Sequence, residues 1–460
     1  MSLSSLPREI VLIIADYLDD GEINALTCTN SQVYDFLNRY LYRGDVTRPQ
    51  SKSLSWAAEL GVEGTIKQAI YAGGHFNPIP RSFHTALQLA ANYGHVHLVE
   101  LLLEVENINL NYRGSMFTST PLGCAAKMGH SAIVQLLLAA DNVNPNIGDQ
   151  SFSTPLCWAC EMGHVSIVRQ LLARGDVSLG GISQRTKSPL VVACFKGHVE
   201  IINLLLAQDG IDVNFQYCGI TPLMVAVERR LVEVVKSLIA KNDVKPNIIS
   251  GNRHVLEVAM SLSDTGMMKL LLDHPDIDPN YVTIGGHSLL MWLIEPRIIE
   301  PVVRLDMVKL LLGHERIDVN YQDPGGWTAL NLAALNDDFG VAELLLERED
   351  IDINLPNNRG RTPLFSSRAK LADLLLKKRG IDPNIRDVIR GHTPLTDACR
   401  LLQVDKVRSL LSCPDTNPNA VDNNGVSILT YLINKWHLEA RYNRCRYYEI
   451  KSLLRAAGAT

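Results

Sequence analysis

The sequence predicts an all-α solenoid of about twelve helix–turn–helix units with protruding hairpin loops, preceded by a small helical segment. Three observations carry that reading. Between Ser53 and Ser427 the chain repeats itself about every 33–35 residues, most clearly at Thr120-Pro121-Leu122, Thr154-Pro155-Leu156, Ser188-Pro189-Leu190 and Thr221-Pro222-Leu223. A small residue follows each Leu at a fixed distance: Ala125, Ala159, Ala193 and Ala226. The first three copies then show Gly129-His130, Gly163-His164 and Gly197-His198, followed by apolar clusters such as Leu136–Leu138 and Leu204–Leu206. A unit of this length buries its apolar face only against a neighbour, so it stacks.

Residues 1–48 fall outside the period. Pro7 with Glu9 behind it opens a helix favourably, the acid lying at the positive end of the dipole. Ile10, Ile13, Ile14, Tyr17 and Leu18 give that helix an apolar face, and a second helix is expected from about Ile23 to Leu41. About forty residues in short helices make a poor independent core, so this segment needs a partner or a neighbouring domain.

The copy beginning at Thr154 shows the logic of one period. Thr154 suits a helix N-cap, its hydroxyl accepting from an orphaned N–H. Pro155 suits the first helical position, where a missing N–H costs nothing. Leu156 and Ala159 share a face, and Ala keeps it narrow enough for neighbouring helices to approach. Gly163 ends the helix in the left-handed conformation. His164 opens a second helix with Ile167, Val168, Leu171 and Leu172 as its buried stripe. An extended segment follows, seen as Val143-Asn144-Pro145-Asn146, Ile211-Asp212-Val213-Asn214, Ile277-Asp278-Pro279-Asn280 and Ile351-Asp352-Ile353-Asn354. A turn leads to the next cap, with Gly219, Gly326, Gly360, Gly391 or Gly425 two residues before it.

This pattern resembles the ankyrin repeat over roughly residues 51–460. Twelve copies are marked by Ala57, Ala90, Ala125, Ala159, Ala193, Ala226, Ala259, Leu293, Ala333, Ser367, Ala398 and Leu432. The His often found after Thr-Pro-Leu in that family is replaced by Gly123, Cys157, Val191 and Met224, with loss of a polar bridge between repeats. The eighth copy carries six extra residues around Glu295–Leu305, the tenth is shortened at 366–371, and the last holds an insertion at Asn434–Tyr447. The resemblance implies a partner lying against loop tips and first helices. Aromatics and arginines are frequent interface anchors, which singles out Tyr112, Arg113, Phe117, Phe152, Phe215, Tyr217, Tyr281, Tyr321, Trp327, Arg359 and Arg361, unless they wedge between hairpins instead.

Leu6, Pro7, Glu9, Ile10, Ile14 and Leu18 resemble the opening of the F-box, whereas Asn30-Ser31-Gln32-Val33-Tyr34 departs from that family's Ser-Lys-x-Trp-like stretch. An F-box-like segment at 1–48 ahead of an ankyrin array at 49–460 looks like the fungal ankyrin/F-box type. The resemblance implies docking onto the Skp-type adaptor of a cullin–RING ubiquitin ligase through Leu6, Pro7, Ile10, Ile14, Leu18, Val33 and Phe36. It further implies a non-catalytic substrate receptor of an SCF-type ligase whose array binds a target protein. The other reading is an ankyrin scaffold whose N-terminal helices only cap the solenoid. Packing of the Leu6–Leu18 face on Trp56 and Leu60 separates the two.

A net charge of −5 and a pI near 6.2 give no global pull toward nucleic acid or an anionic membrane. The sequence offers no bilayer-length apolar run and no signal-peptide pattern at its N-terminus. Nine cysteines at no disulfide-scaffold spacing, and no Asn-x-Ser/Thr sequon, point to reduced thiols in the cytoplasm or nucleus. The Gly-His pairs recur once per repeat, too far apart to share a zinc ion, and read as a polar residue at a helix start. Cys157 and Cys160 spell a CxxC, but Cys160, Cys194 and Cys399 each follow a marker residue, so Cys160 reads as packing. The Asp-x-Asn loops lack the Gly and distal Glu of a calcium loop and read as locally bonded turns. The basic residues Lys435, Arg441, Arg444, Arg446, Lys451 and Arg455 read as a solvated helix face. With no phosphate loop, His-Glu-x-x-His or Gly-x-Ser-x-Gly, no catalysis, cofactor or metal is expected.

Overall fold

A computed structural model of the chain describes residues 52–77, 84–114, 119–180, 187–295, 299–439 and 444–460. The F-box-like segment, with Leu6, Pro7, Ile10, Ile14, Leu18, Val33 and Phe36, lies outside them, as does Phe117. The described residues form twelve helix pairs, one for each expected copy, so the all-α array is the observed architecture. Extended structure among them is confined to isolated bridges, Tyr217 with Ile220, Ser250 with Arg253, Val282 with Ser288 and Val421 with Ser427. Two compact bodies are distinguished, divided between Val244 and Lys245.

The N-terminal body holds repeats one to six. Their first helices are Lys52–Leu60, Ala86–Tyr93, Pro121–Met128, Pro155–Met162, Pro189–Lys196 and Pro222–Glu228. Their second helices are Glu63–Tyr71, Val96–Leu103, Ser131–Leu138, Val165–Ala173, Val199–Leu206 and Val232–Ile239. The C-terminal body holds repeats seven to twelve, with first helices Val255–Ser261, Leu289–Ile294, Ala329–Leu335, Pro363–Ser366, Pro394–Arg400 and Ile428–Glu439. Their partners are Thr265–Leu272, Pro301–Leu312, Phe339–Leu346, Ala369–Leu376, Val404–Leu411 and Arg444–Ala456.

The expected cap chemistry is present. The Thr154 hydroxyl accepts from Cys157 N–H at 3.2 Å, with Pro155 at the first helical position. Thr120, Thr221, Thr328 and Thr362 cap in the same way, whereas Ser188 occupies the position without such a bond. The marker residues Ala57, Ala90, Ala125, Ala159, Ala193, Ala226 and Ala259 are wholly buried, which lets first helices pack side by side. On the second helix of repeat four, Ile167, Val168 and Leu171 are wholly buried, each worth about 1.5–3 kcal/mol of transfer free energy. Leu172, expected in that stripe, is only half-buried.

The irregular copies absorb their differences in helix length. In repeat eight the extra residues lengthen the second helix to Pro301–Leu312. In repeat ten the first helix is a single turn, Pro363–Ser366, and Ser367 leaves helical conformation at φ −66°, ψ 156°. Repeat twelve extends both of its helices.

The Asp-x-Asn signature does two jobs, of which sequence indicated one. Locally, Asn320 N–H donates to Asp318 Oδ1 at 2.9 Å. Across the stack, Asn320 Nδ2 donates to the Asp350 carbonyl at 2.7 Å, and its Oδ1 accepts from Asp352 N–H at 2.8 Å. Asn111, Asn146, Asn280, Asn354 and Asn384 repeat this two-bond rung. Gly180 stands where repeat four would carry that Asn. The bridge expected to be lost after Thr-Pro-Leu is kept in two copies by other amides. Gln88 Nε2 donates to the Ser119 carbonyl at 2.7 Å and Asn331 Nδ2 to the Leu355 carbonyl at 2.9 Å.

Candidate protein-binding face

The Gly-His turn joins one repeat to the last. His95, His130 and His164 make no cap bond to their own helices. Each ring instead donates from Nε2 to a carbonyl near the end of the preceding first helix: Glu59 at 2.8 Å, Asn92 at 3.1 Å and Lys127 at 3.2 Å. That answers the helix's orphaned C-terminal carbonyl, while each His still stands at the start of its own second helix as expected. Where Leu231 replaces His, Arg229 donates to the equivalent Phe195 carbonyl.

Just before this turn, the first helices of repeats two to four expose Tyr93, Met128 (50%) and Met162 (43%) at one equivalent position. Between these helices and the hairpins sits a cluster around half-buried Trp158. The indole Nε1–H donates to Asp149 Oδ2 at 3.1 Å. Asp149 is buried, and its other oxygen accepts from Ser151 and Ser153 N–H at 2.8 and 3.0 Å, which fixes the hairpin and the indole together. The ammonium groups of Lys127 and Lys187 lie 4.2 and 5.2 Å from the indole centroid, within cation–π range. Lys187 also pairs with Glu161 at 2.7 Å, and Lys196 approaches the same carboxylate at 3.7 Å. In the same hairpin Phe152 is 52% exposed and held at φ 58°. A bulky side chain in the left-handed region costs about 1–2 kcal/mol, and strain of this kind concentrates at functional sites.

The C-terminal body presents a different surface. Its hairpins bond tip to tip: Asn358 N–H to the Gly325 carbonyl, Val388 N–H to Arg359 and Asn423 N–H to Arg390, at 3.0, 2.9 and 2.9 Å. Arg386 adds a bond to the Val421 carbonyl. The strip so formed exposes Val388 (70%) and Ile389 (65%), with Arg359 and Arg390 also exposed.

The tip residues singled out by sequence divide accordingly. Phe152 and Arg359 are exposed. Arg113 is exposed, but its guanidinium donates to the Gly148 and Asp149 carbonyls. Tyr112, Phe215, Tyr217 and Trp327 are half-buried. Tyr281 stacks on His254 at 4.7 Å, Tyr321 Oη donates to the Gly286 carbonyl at 3.1 Å, and Arg361 lies 4.9 Å from the Phe365 ring. Tyr281 and Tyr321 thus contact the preceding repeat, and Arg361 its own first helix. Trp158 was passed over as the middle of a CxxC. The signal was an aromatic at a first-helix position where other copies carry Cys124 or Val192.

Burial pushes the Cys160 thiol far up and the Cys194 thiol to about 12, which suppresses thiolate chemistry. Among the described residues no group of three or more His, Cys, Asp or Glu side chains could hold a metal. None of the described helices is long and apolar enough to cross a membrane. In the C-terminal helix Tyr447 is buried and donates to the Leu432 carbonyl, while Arg444 and Arg446 are exposed.

A family model of ankyrin repeats matches residues 54–149, 141–217 and 302–387, and a single-repeat model matches 218–250. The chain belongs to the ankyrin-repeat family. The matched residues begin at 54 and do not bear on residues 1–48. Neurogenic locus notch homolog protein 1 of Xenopus tropicalis is 39% identical over 106 residues, which is 22% of this chain and 4% of that protein's length. The crystal structure of the human ASB11 ankyrin repeat domain covers 51% of this chain and 100% of its own, at 24% identity and a TM-score of 0.41. Ankyrin arrays are protein–protein interaction scaffolds, and this chain is one of them.

Proposed function

We propose that this chain is a non-catalytic receptor in which the ankyrin array holds a target protein and the N-terminal segment docks the Skp-type adaptor of a cullin–RING ubiquitin ligase. Target binding is supported by one observation above others: Trp158 set between Lys127 and Lys187, beside exposed Met128 and Met162. An amphipathic aromatic with flanking apolar side chains is the composition of an interface anchor. The adaptor half rests on the sequence Leu6-Pro7-x-Glu9-Ile10. Such a receptor makes and breaks no bond; it raises the effective concentration of target lysines near the conjugating enzyme. The cytoplasm or nucleus is its expected compartment.

Two measurements test the halves separately. Purified adaptor should be retained by the full chain and lost with Leu6→Asp/Ile10→Asp at unchanged circular dichroism. No retention by the intact chain leaves an interaction scaffold without a ligase. A photo-crosslinker placed at Met162 should label a discrete partner in extract, and Trp158→Ala should abolish that labelling. Labelling insensitive to Trp158→Ala would remove Trp158 as the anchor, and no labelling at Met162 would place the partner elsewhere on the array.

A further inference from the structure

Taking this face as the partner site proposed above, we infer that repeats three to six seat an acidic segment of a partner protein that also carries apolar side chains. The chain as a whole is negative, at −5. This face has the opposite sign. Lys127, Lys187, Lys196 and Arg229 meet only Glu161 and Glu228 at the equivalent positions of the first helices and the hairpin before them. Asp149, the other acid of the cluster, is buried and spent on the indole and the hairpin N–H groups.

The bases are not cancelled by what they touch. Glu161 serves both Lys187 and Lys196. Among the described residues no carboxylate pairs with Lys127, whose ammonium rests against the Trp158 ring. Arg229 donates to the Phe195 carbonyl, a neutral partner that leaves its charge in place. A carboxylate arriving at the rim of Trp158 gains charge-assisted bonds from Lys127 and Lys187. It arrives where the indole has already shed part of its water. Exposed Met128 and Met162 lie in one row and half-buried Phe195 one position earlier, in the row of Lys127 and Glu161, so apolar side chains between the acids find surface to bury. Two features favour a protein segment over nucleic acid. Glu161 and Glu228 would repel a regular file of phosphates. The thioethers of Met128 and Met162 are adaptable peptide contacts.

Fluorescence anisotropy with the full chain tests this, using three labelled probes: a short Glu/Leu peptide, its Lys/Leu counterpart and a single-stranded RNA of similar length. The Glu/Leu peptide should bind at least about tenfold tighter than either other probe, and added salt should weaken it. Lys127→Glu with Lys196→Glu should reduce its affinity about tenfold, as should Trp158→Ala. Lys196 is exposed and Lys127 half-buried, so the charge variant, with circular dichroism as its fold control, tests the idea even where Trp158→Ala perturbs the fold. Equal binding of the Lys/Leu peptide, preference for RNA, no saturable binding of the Glu/Leu peptide, or insensitivity to the charge variant would overturn the inference. If any of these occurs while a Met162 crosslink to an extract protein persists, the acidic chemistry fails and the receptor reading stands. Loss of both removes the receptor reading as well.

Discussion

In the N-terminal body the left-handed residue between paired helices is Gly61, Gly94, Gly129, Gly163 or Gly197, with Arg230 the exception; in the C-terminal body Ser263, Asp337 and Leu402 take that conformation. The residue that follows differs too. His95, His130 and His164 reach back to the preceding repeat. Asp264 and Asp338 instead cap their own helices, accepting from Met267 and Val341 N–H at 2.9 and 3.2 Å. Asp338 also pairs with Arg304 of the preceding repeat at 2.6 Å. In the first case a strain-free turn carries the link between repeats. In the second the turn is strained, and ion pairing and bonded hairpin tips are added to the Asn rungs that both bodies share. A single repeat architecture therefore tolerates drift at its turn when another edge of the stack supplies the lost bond.

The largest expected break in this comparison is acid. His254 takes the N-cap place held elsewhere by Thr, its Nδ1 accepting from Leu256 N–H and its Nε2–H donating to Asn247 Oδ1 at 3.2 Å. Burial lowers its pKa from 6.5 to about 4. The unfolded chain therefore takes up a proton between those values that the folded state refuses. Stability is intact above pH 6.5 and falls as pH drops toward 4, by about 3 kcal/mol. Urea unfolding across that window should show it, and His254→Thr should remove most of the slope.

Gly129→Ala should come next. The backbone sits at φ 85°, and an added Cβ would lie 2.7 Å from His164 Cε1. Conformational strain and displacement of the ring should together cost about 2 kcal/mol, read as faster amide exchange in repeats three and four. Asn320→Ala removes both bonds of one rung and should cost about 1–2 kcal/mol, with exchange rising around 350–352. Leu402→Gly should stabilise by about 0.5–1 kcal/mol, because relief of the left-handed strain exceeds the added chain entropy. Phe152→Gly should give a similar gain while weakening partner binding, which separates strain kept for function from strain left by drift.

Much of this was legible in residue order. Thr154, Pro155, Ala159 and Gly163 dictate cap, start, contact face and stop through local sterics, so the repeat count followed from them. Bonds that cross the stack were not legible, because their partners lie about one period away and only the assembled array sets the distance. Asn320 reads only as a turn residue until Asp350 and Asp352 arrive beside it, and His164 is a helix start whose bond to the Lys127 carbonyl only the assembled stack reveals. Trp158 was obscured for the same reason: its neighbours Lys127 and Lys187 come from other repeats. Tyr281 and Tyr321 carry the chemistry of anchors, but nothing local reveals that the His254 ring and the Gly286 carbonyl of the preceding hairpin already occupy them; Arg361 is taken up by Phe365 four residues on.

The central claim is that the face around Trp158 is where the array takes its partner. Hydrogen-exchange mass spectrometry on the full chain, with and without the Glu/Leu peptide, addresses it most directly. The account predicts slowed exchange in 121–129, 155–163 and 187–197, and no change in 385–392. Protection confined to the 385–392 strip, or none at saturating peptide, would contradict it.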